Sequence, residues 1–114
     1  MALPRIPEVD VAQAQQRLDA GARLLDVREA DEWATGHAGA AQWIPMGQIA
    51  TRRDEVPNDR VVVVVCRSGG RSGKVTQALV EAGYDAVNLA GGMQAWQAEG
   101  HPVVTDDGSP GAVA

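Results

Sequence analysis

A single cysteine, Cys66, is followed by Arg67, Ser68, Gly69, Gly70, Arg71 and Ser72. These residue types in this order are suited to holding an anion beside a thiol. Paired glycines permit positive φ and let consecutive backbone N–H groups converge on one point at the start of a helix, while the two arginines add positive charge. Such surroundings draw a cysteine pKa down from about 8.5 toward or below 7, and the thiolate is the nucleophilic form. Cys66 is therefore the candidate catalytic nucleophile, and Arg67, Ser68, Gly69, Gly70, Arg71 and Ser72 are candidate substrate-binding residues. Two plainer readings compete. A lone cysteine is often only a small buried hydrophobe, but the loop that follows weighs against that. A nucleotide-phosphate loop would need G-x-x-x-x-G-K-[ST], whereas Ser68 stands where its first glycine belongs and Val75 follows Lys74 where a magnesium-ligating hydroxyl is required.

The elements that must position Cys66 follow from the pattern around it. Residues 61–65 are five valines in a row. A half-exposed strand alternates apolar and polar residues, so this run predicts a strand buried on both faces, as in parallel α/β sheets. Cys66 then stands at the carboxyl end of a central strand, where open α/β sheets place their ligand crevice. Beyond the loop, Val75, Ala78, Leu79 and Ala82 mark one face of a helix that Gly83 ends. Upstream, a proline-containing arm gives Ile6 the chance to add an edge strand. Asp10 then caps a helix carrying Val11, Ala14 and Leu18 on one side and closed by Gly21. Residues 22–27 read as a short buried strand, residues 41–44 as another stopped by Pro45, and residues 46–57 as a short helix with Ile49 inward and Arg52, Arg53, Asp54 and Glu55 solvated. A strand over 84–89, a Gly91-Gly92 turn and a last short helix ending at Gly100 complete the pattern, and the polar residues after Thr105 read as frayed. Strands alternating with helices through short connections predict a parallel sheet covered on both faces.

At the loop the chain resembles the rhodanese family of sulfurtransferases, whose catalytic cysteine opens a loop like CRSGGRS between a parallel strand and a helix. The resemblance extends upstream through residues 26–29 (DVRE), Glu32, Gly36-His37, Gly39-Ala40 and Ile44-Pro45, and downstream through Gly91, Gly92, Trp96, Gly100 and Pro102. Ala38 departs from it, standing where the family usually has a larger aliphatic residue. The resemblance implies a rhodanese-like α/β fold with about five parallel strands, formed by one domain over residues 8–105 with a flexible tail over 106–114. Cell-cycle phosphatases share that fold but place five residues between cysteine and arginine. Here four separate Cys66 from Arg71, and by the resemblance to rhodaneses the cradle is sized for the outer sulfur of a persulfide rather than for a phosphoryl group. The implied activity is that of a thiosulfate sulfurtransferase. Cys66 would take sulfur from a small anionic donor and pass it to cyanide, a thiol or an acceptor protein, with Arg67 and Arg71 binding the donor's sulfonate end and no metal or organic cofactor. The alternatives are a non-catalytic sulfur carrier or partner-binding module and, behind it, a phosphatase or arsenate reductase using the same thiolate.

Other chemistry-bearing residues read as support. Asp26 and Arg28, at adjacent strand-end positions, satisfy loop amides or one another; His37, between two glycines' turns, reads as a fold element; Trp33 and Trp43 read as core or rim aromatics. The composition fits one soluble domain: 114 residues, 45% hydrophobic and 22% charged. Ten basic against fifteen acidic residues, a net charge of −5, argue against nucleic-acid and acidic-membrane partners. One cysteine rules out an internal disulfide, a CxxC pair and a cysteine-rich zinc site, and with no signal-peptide pattern it predicts a reducing, cytoplasmic setting.

Overall fold

The valine run does form the centre of the molecule. In a computed structural model that describes residues 6–114, the strands are β1 (Glu8–Val9), β2 (Arg23–Asp26), β3 (Gln42–Trp43), β4 (Val62–Val65) and β5 (Ala86–Leu89). They make one sheet in the order β1-β5-β4-β2-β3, and every pairing is parallel. Strand β4 lies between β2 and β5, with Leu25 opposite Val64 and Val64 opposite Asn88.

Because side chains alternate across a strand, β4 divides its valines between two cores. Val63 and Val65 pack with Val11, Ala14, Met93 and Trp96, under α1 (Val11–Asp19) and α4 (Gly92–Ala98). Val62, Val64 and Cys66 pack on the opposite face with Ile49, Val75 and Leu79, under α3 (Gly70–Glu81). All four strand valines have no exposed surface. The α/β architecture with helices on both faces is thus as the pattern predicts. Helix α1 begins as expected on Asp10, with a reciprocal cap: Gln13 N–H donates to Asp10 Oδ1 at 2.8 Å and Asp10 N–H to Gln13 Oε1 at 2.9 Å.

Several expectations need correction. The edge strand forms at Glu8–Val9, not at Ile6, because the carbonyls of Pro7 and Val9 are the ones that accept from Asn88 N–H of β5 and from Ala90 N–H just beyond it. The first five residues of the expected arm lie outside the described residues. Residues 46–57 form two 3-10 turns, Met46–Gln48 and Arg53–Glu55, in place of one helix, although Ile49 is buried as predicted. A helix not anticipated, α2 (Ala30–Thr35), buries no residue fully, so it carries no apolar period to read. On α3 the buried face is Ser72, Val75, Thr76 and Leu79; Ala78 and Ala82 are exposed. The polar C-terminal residues, expected to fray, instead fold back: Gly111 N–H donates to Val103 O, Ala112 N–H to Thr35 O and Val113 N–H to Gln97 Oε1.

Candidate active site

Cys66 follows the last residue of β4 with its side chain turned toward α3, 1% exposed. The chain then has to double back into a helix within three residues. Gly69 makes that possible: it sits in the left-handed region at φ 112°, where a side chain would be strained, and serves as the N-cap of α3. The turn aims donors back at the sulfur. Gly69 N–H lies 3.1 Å from Sγ and the Ser72 hydroxyl donates to Sγ at 3.3 Å. Burial pushes the Cys66 thiol up, and is the largest single influence on it. The Ser72 hydroxyl and the amides of Ser72, Gly69 and Ser68 all favour the thiolate, and together they hold the thiol below its ordinary value of 9.0.

The start of the cradle is held by α4. Met93 N–H donates to Cys66 O at 2.8 Å and Gln94 N–H to Arg67 O at 3.0 Å. This contact requires glycine at 92: a Cβ there would lie 2.5 to 2.6 Å from Cys66 O and from the Arg67 carbonyl group. The Gly91-Gly92 turn of the sequence pattern is thus also the point at which α4 packs backbone to backbone against the loop. Asn88 Nδ2, reaching up from β5, donates to Gly69 O at 3.1 Å.

The arginine side chains are placed differently from the expectation that both bind donor. Arg71 makes a two-point pair with Glu32 of α2, at 2.6 and 2.8 Å, which holds the Glu32 carboxyl down to about 2. Arg67 Nε donates to Ala114 O at 2.6 Å. Both guanidinium groups are thus engaged by the protein, because residues distant in sequence supply acceptors that the loop pattern does not reveal. Gly70 and Ser68 are exposed on the loop, and Ser72 is fully buried beneath it.

Around this site the supporting residues behave as structure. Asp26 and Arg28 form a fully buried pair, with three side-chain hydrogen bonds of 2.8 to 3.1 Å, and Arg28 also donates to Gly36 O at 2.8 Å and Glu32 O at 3.3 Å. That network ties the end of β2 to α2, and through Glu32 to Arg71. His37 stacks on Trp33, with ring centroids 3.6 Å apart, and its ring nitrogens face Asp106 Oδ1 and Ala38 O. None of these partners belongs to the loop. Trp43 is half-buried and donates to Arg28 O; His101 packs against the Trp96 ring and is only partly exposed.

A buried sulfur surrounded by convergent donors at the carboxyl edge of a parallel sheet is an arrangement in which a thiolate can accept a small group and stabilise negative charge on it. Known proteins agree with that description. The family model for the rhodanese-like domain matches residues 10–99. The chain is 40% identical over 106 residues to a sulfurtransferase of Allochromatium vinosum, covering 90% of this chain and 99% of that one. It is 37% identical over 123 residues to thiosulfate sulfurtransferase 18 of Arabidopsis thaliana, covering 94% and 90%. Among solved structures, a rhodanese-related protein of Thermoplasma volcanium superposes with a TM-score of 0.82 at 29% identity, over 88% of this chain and 99% of that chain. The chain belongs to the rhodanese family. Residues 10–99 form one rhodanese-like domain of that family of sulfurtransferases, proteins that pass sulfur from a donor to an acceptor.

Proposed function

We propose that the protein transfers a sulfane sulfur from thiosulfate or a similar anionic donor to a thiol or cyanide, through a persulfide on Cys66. The observation that carries this reading is the sulfur itself: buried, and met by the Gly69 amide at 3.1 Å and the Ser72 hydroxyl at 3.3 Å. In the first half-reaction the Cys66 thiolate attacks the outer sulfur of thiosulfate. A Cys66–sulfur bond forms, the donor's sulfur–sulfur bond breaks, and sulfite leaves with the bonding pair. The negative charge now rests on the outer sulfur of the persulfide, where the backbone amides of Arg67, Ser68, Gly69, Gly70, Arg71 and Ser72 receive it, as an oxyanion hole receives oxygen. In the second, cyanide or a thiolate attacks that outer sulfur, carries it away and returns the Cys66 thiolate. Thiocyanate or a new persulfide is the product.

Donor binding in this scheme falls first to backbone N–H groups: Arg71 is paired at two points with Glu32, while Arg67, exposed and bonded through Nε to Ala114 O, has further N–H groups for the donor's sulfonate end. A reducing cytoplasmic setting, which keeps a lone thiol free, goes with it. Steady-state kinetics with thiosulfate and cyanide test the scheme: a covalent intermediate requires parallel double-reciprocal lines. Intersecting lines, or turnover of p-nitrophenyl phosphate in place of thiosulfate, would contradict it.

A further inference from the structure

Strand β5 is buried along its whole length, yet its third residue is Asn88, 2% exposed. A primary amide inside an apolar strand costs stability unless its hydrogen bonds are made, and here they are made on one side only. Nδ2 donates to Gly69 O and to Glu8 Oε2, each at 3.1 Å; Oδ1 is buried with no partner among the described residues. Leucine or valine would suit the strand and leave no orphaned oxygen. Packing therefore does not account for the amide; its polar contacts do, and of the two only the one to Gly69 reaches the loop.

Gly69 is the residue on which the cradle turns. Having no Cβ, it has no side-chain packing to hold it, so its conformation depends on its backbone partners. Its N–H is on the Cys66 sulfur, and its carbonyl accepts Gly73 N–H at 3.0 Å as well as Asn88 Nδ2. The first of those carbonyl bonds belongs to the helix, which frays most easily at its ends. The second is anchored in the sheet. We propose that Asn88 is a positioning residue for the sulfur cradle: by pinning the Gly69 carbonyl to β5 it keeps the loop amides aimed at Cys66 Sγ. Asn88 does not touch the sulfur; it acts through Gly69. The inference rests on the reading of Cys66 as a thiolate nucleophile.

The test is the pH dependence of Cys66 alkylation by iodoacetamide in the full chain carrying Asn88→Leu, with Asn88→Ala as a second variant. The charged groups that face the loop are Arg67 and Arg71 of the loop itself, Glu32 on Arg71, and Glu8 on Asn88 Nδ2; only Glu8 loses a hydrogen bond in the variants, so Glu8→Gln serves as the control and should leave the midpoint unchanged. Asn88→Leu removes the orphaned oxygen and adds apolar burial while losing two hydrogen bonds, so its melting temperature is expected to stay close to that of the unsubstituted protein. Its alkylation midpoint nevertheless moves to higher pH, and below the midpoint it reacts up to about tenfold more slowly, the scale of one weakened hydrogen bond to a charged group. Asn88→Ala shows the same shift with a lower melting temperature. A midpoint unchanged in both variants overturns the proposal, whatever happens to melting, because a residue that only stabilises the fold would not alter the titration of the folded protein. If Asn88→Leu fails to fold, Asn88→Ala decides alone. Alkylation needs no sulfur donor, so this result stands apart from sulfur transfer. A protein whose alkylation midpoint is depressed but which takes up no sulfur would sink the transfer reading and leave the role of Asn88 to be decided by the shift.

Discussion

Helices α3 and α4 begin alike and do different things. Each follows a parallel strand, β4 or β5, and each opens on a left-handed glycine followed by a second glycine, at Gly69-Gly70 and at Gly91-Gly92. At α4 the first-turn amides are spent on backbone: Met93 and Gln94 donate to the carbonyls of Cys66 and Arg67. At α3 the donors of the turn, the Gly69 amide and Ser72, are directed at a side-chain sulfur. A glycine pair at a helix start therefore does not make a site by itself. It makes one where its donors meet a group that can carry charge, and here the second start holds the first in place.

Exchanging the paired glycines breaks this comparison most severely on one side. Gly92→Ala drives a Cβ into the Cys66 and Arg67 backbone and asks alanine to hold φ 59°. Thermal unfolding should show a loss of about 3 kcal/mol, and sulfur loading of the folded fraction should fall about a hundredfold, the scale on which small misplacements act. Ser72→Ala sharpens the other side by deleting one donor to the sulfur. Because the Cys66 pKa lies below its ordinary 9.0, the thiolate's contribution to stability is fully present above that value and is lost as the pH falls through the folded pKa. In Ser72→Ala that rise of stability with pH should shrink, and alkylation at neutral pH should slow about tenfold.

The ion pair at the rim should matter less to the chemistry. Replacing both partners together, Glu32→Gln with Arg71→Gln, removes the charges without leaving either alone. Thiosulfate loading should stay within about threefold if the amides bind the donor; a much larger fall would return Arg71 to donor binding. The same double variant should lose an acid-sensitive part of its stability. With Glu32 lowered from 4.5 to about 2, its contribution is complete above pH 4.5 and disappears as the pH falls toward 2. Gly70→Ala is the smallest change. Its Cβ would meet nothing within 4 Å, so loading should be unaltered and stability equal or higher by up to about 1 kcal/mol.

Comparing these regions also shows where a sequence is readable. The valine run, the Asp10 cap and the Cys66 loop announce themselves because each rests on local chemistry: β-branching, a short polar side chain before an apolar period, glycines beside a thiol. Features made by distant partners do not. Glu32 engages Arg71 across 39 positions and Asn88 reaches Gly69 across 19. No local pattern pairs them, although an asparagine between valine and leucine in a buried strand was a visible irregularity. Helix α2 buries no residue fully, so it left no period to find; its one signal was Glu29 and Glu32 at capping-box spacing. The α3 face was misread because Ser72 and Thr76, polar by type, are buried there, one donating to the sulfur and the other to Ser72 O at 2.8 Å. The C-terminal residues are polar, but their backbone finds partners at Thr35, Gln97 and Val103 that composition does not disclose.

The most direct test of the account is the intact mass of the reduced protein after incubation with thiosulfate and then with cyanide, with Cys66→Ser alongside. A gain of one sulfur atom, its loss to cyanide, and no gain in Cys66→Ser are the expected results. A protein that gains no sulfur from thiosulfate or from an alkyl persulfide, or a Cys66→Ser variant that gains as much, would contradict the assignment of Cys66 as the sulfur-carrying nucleophile.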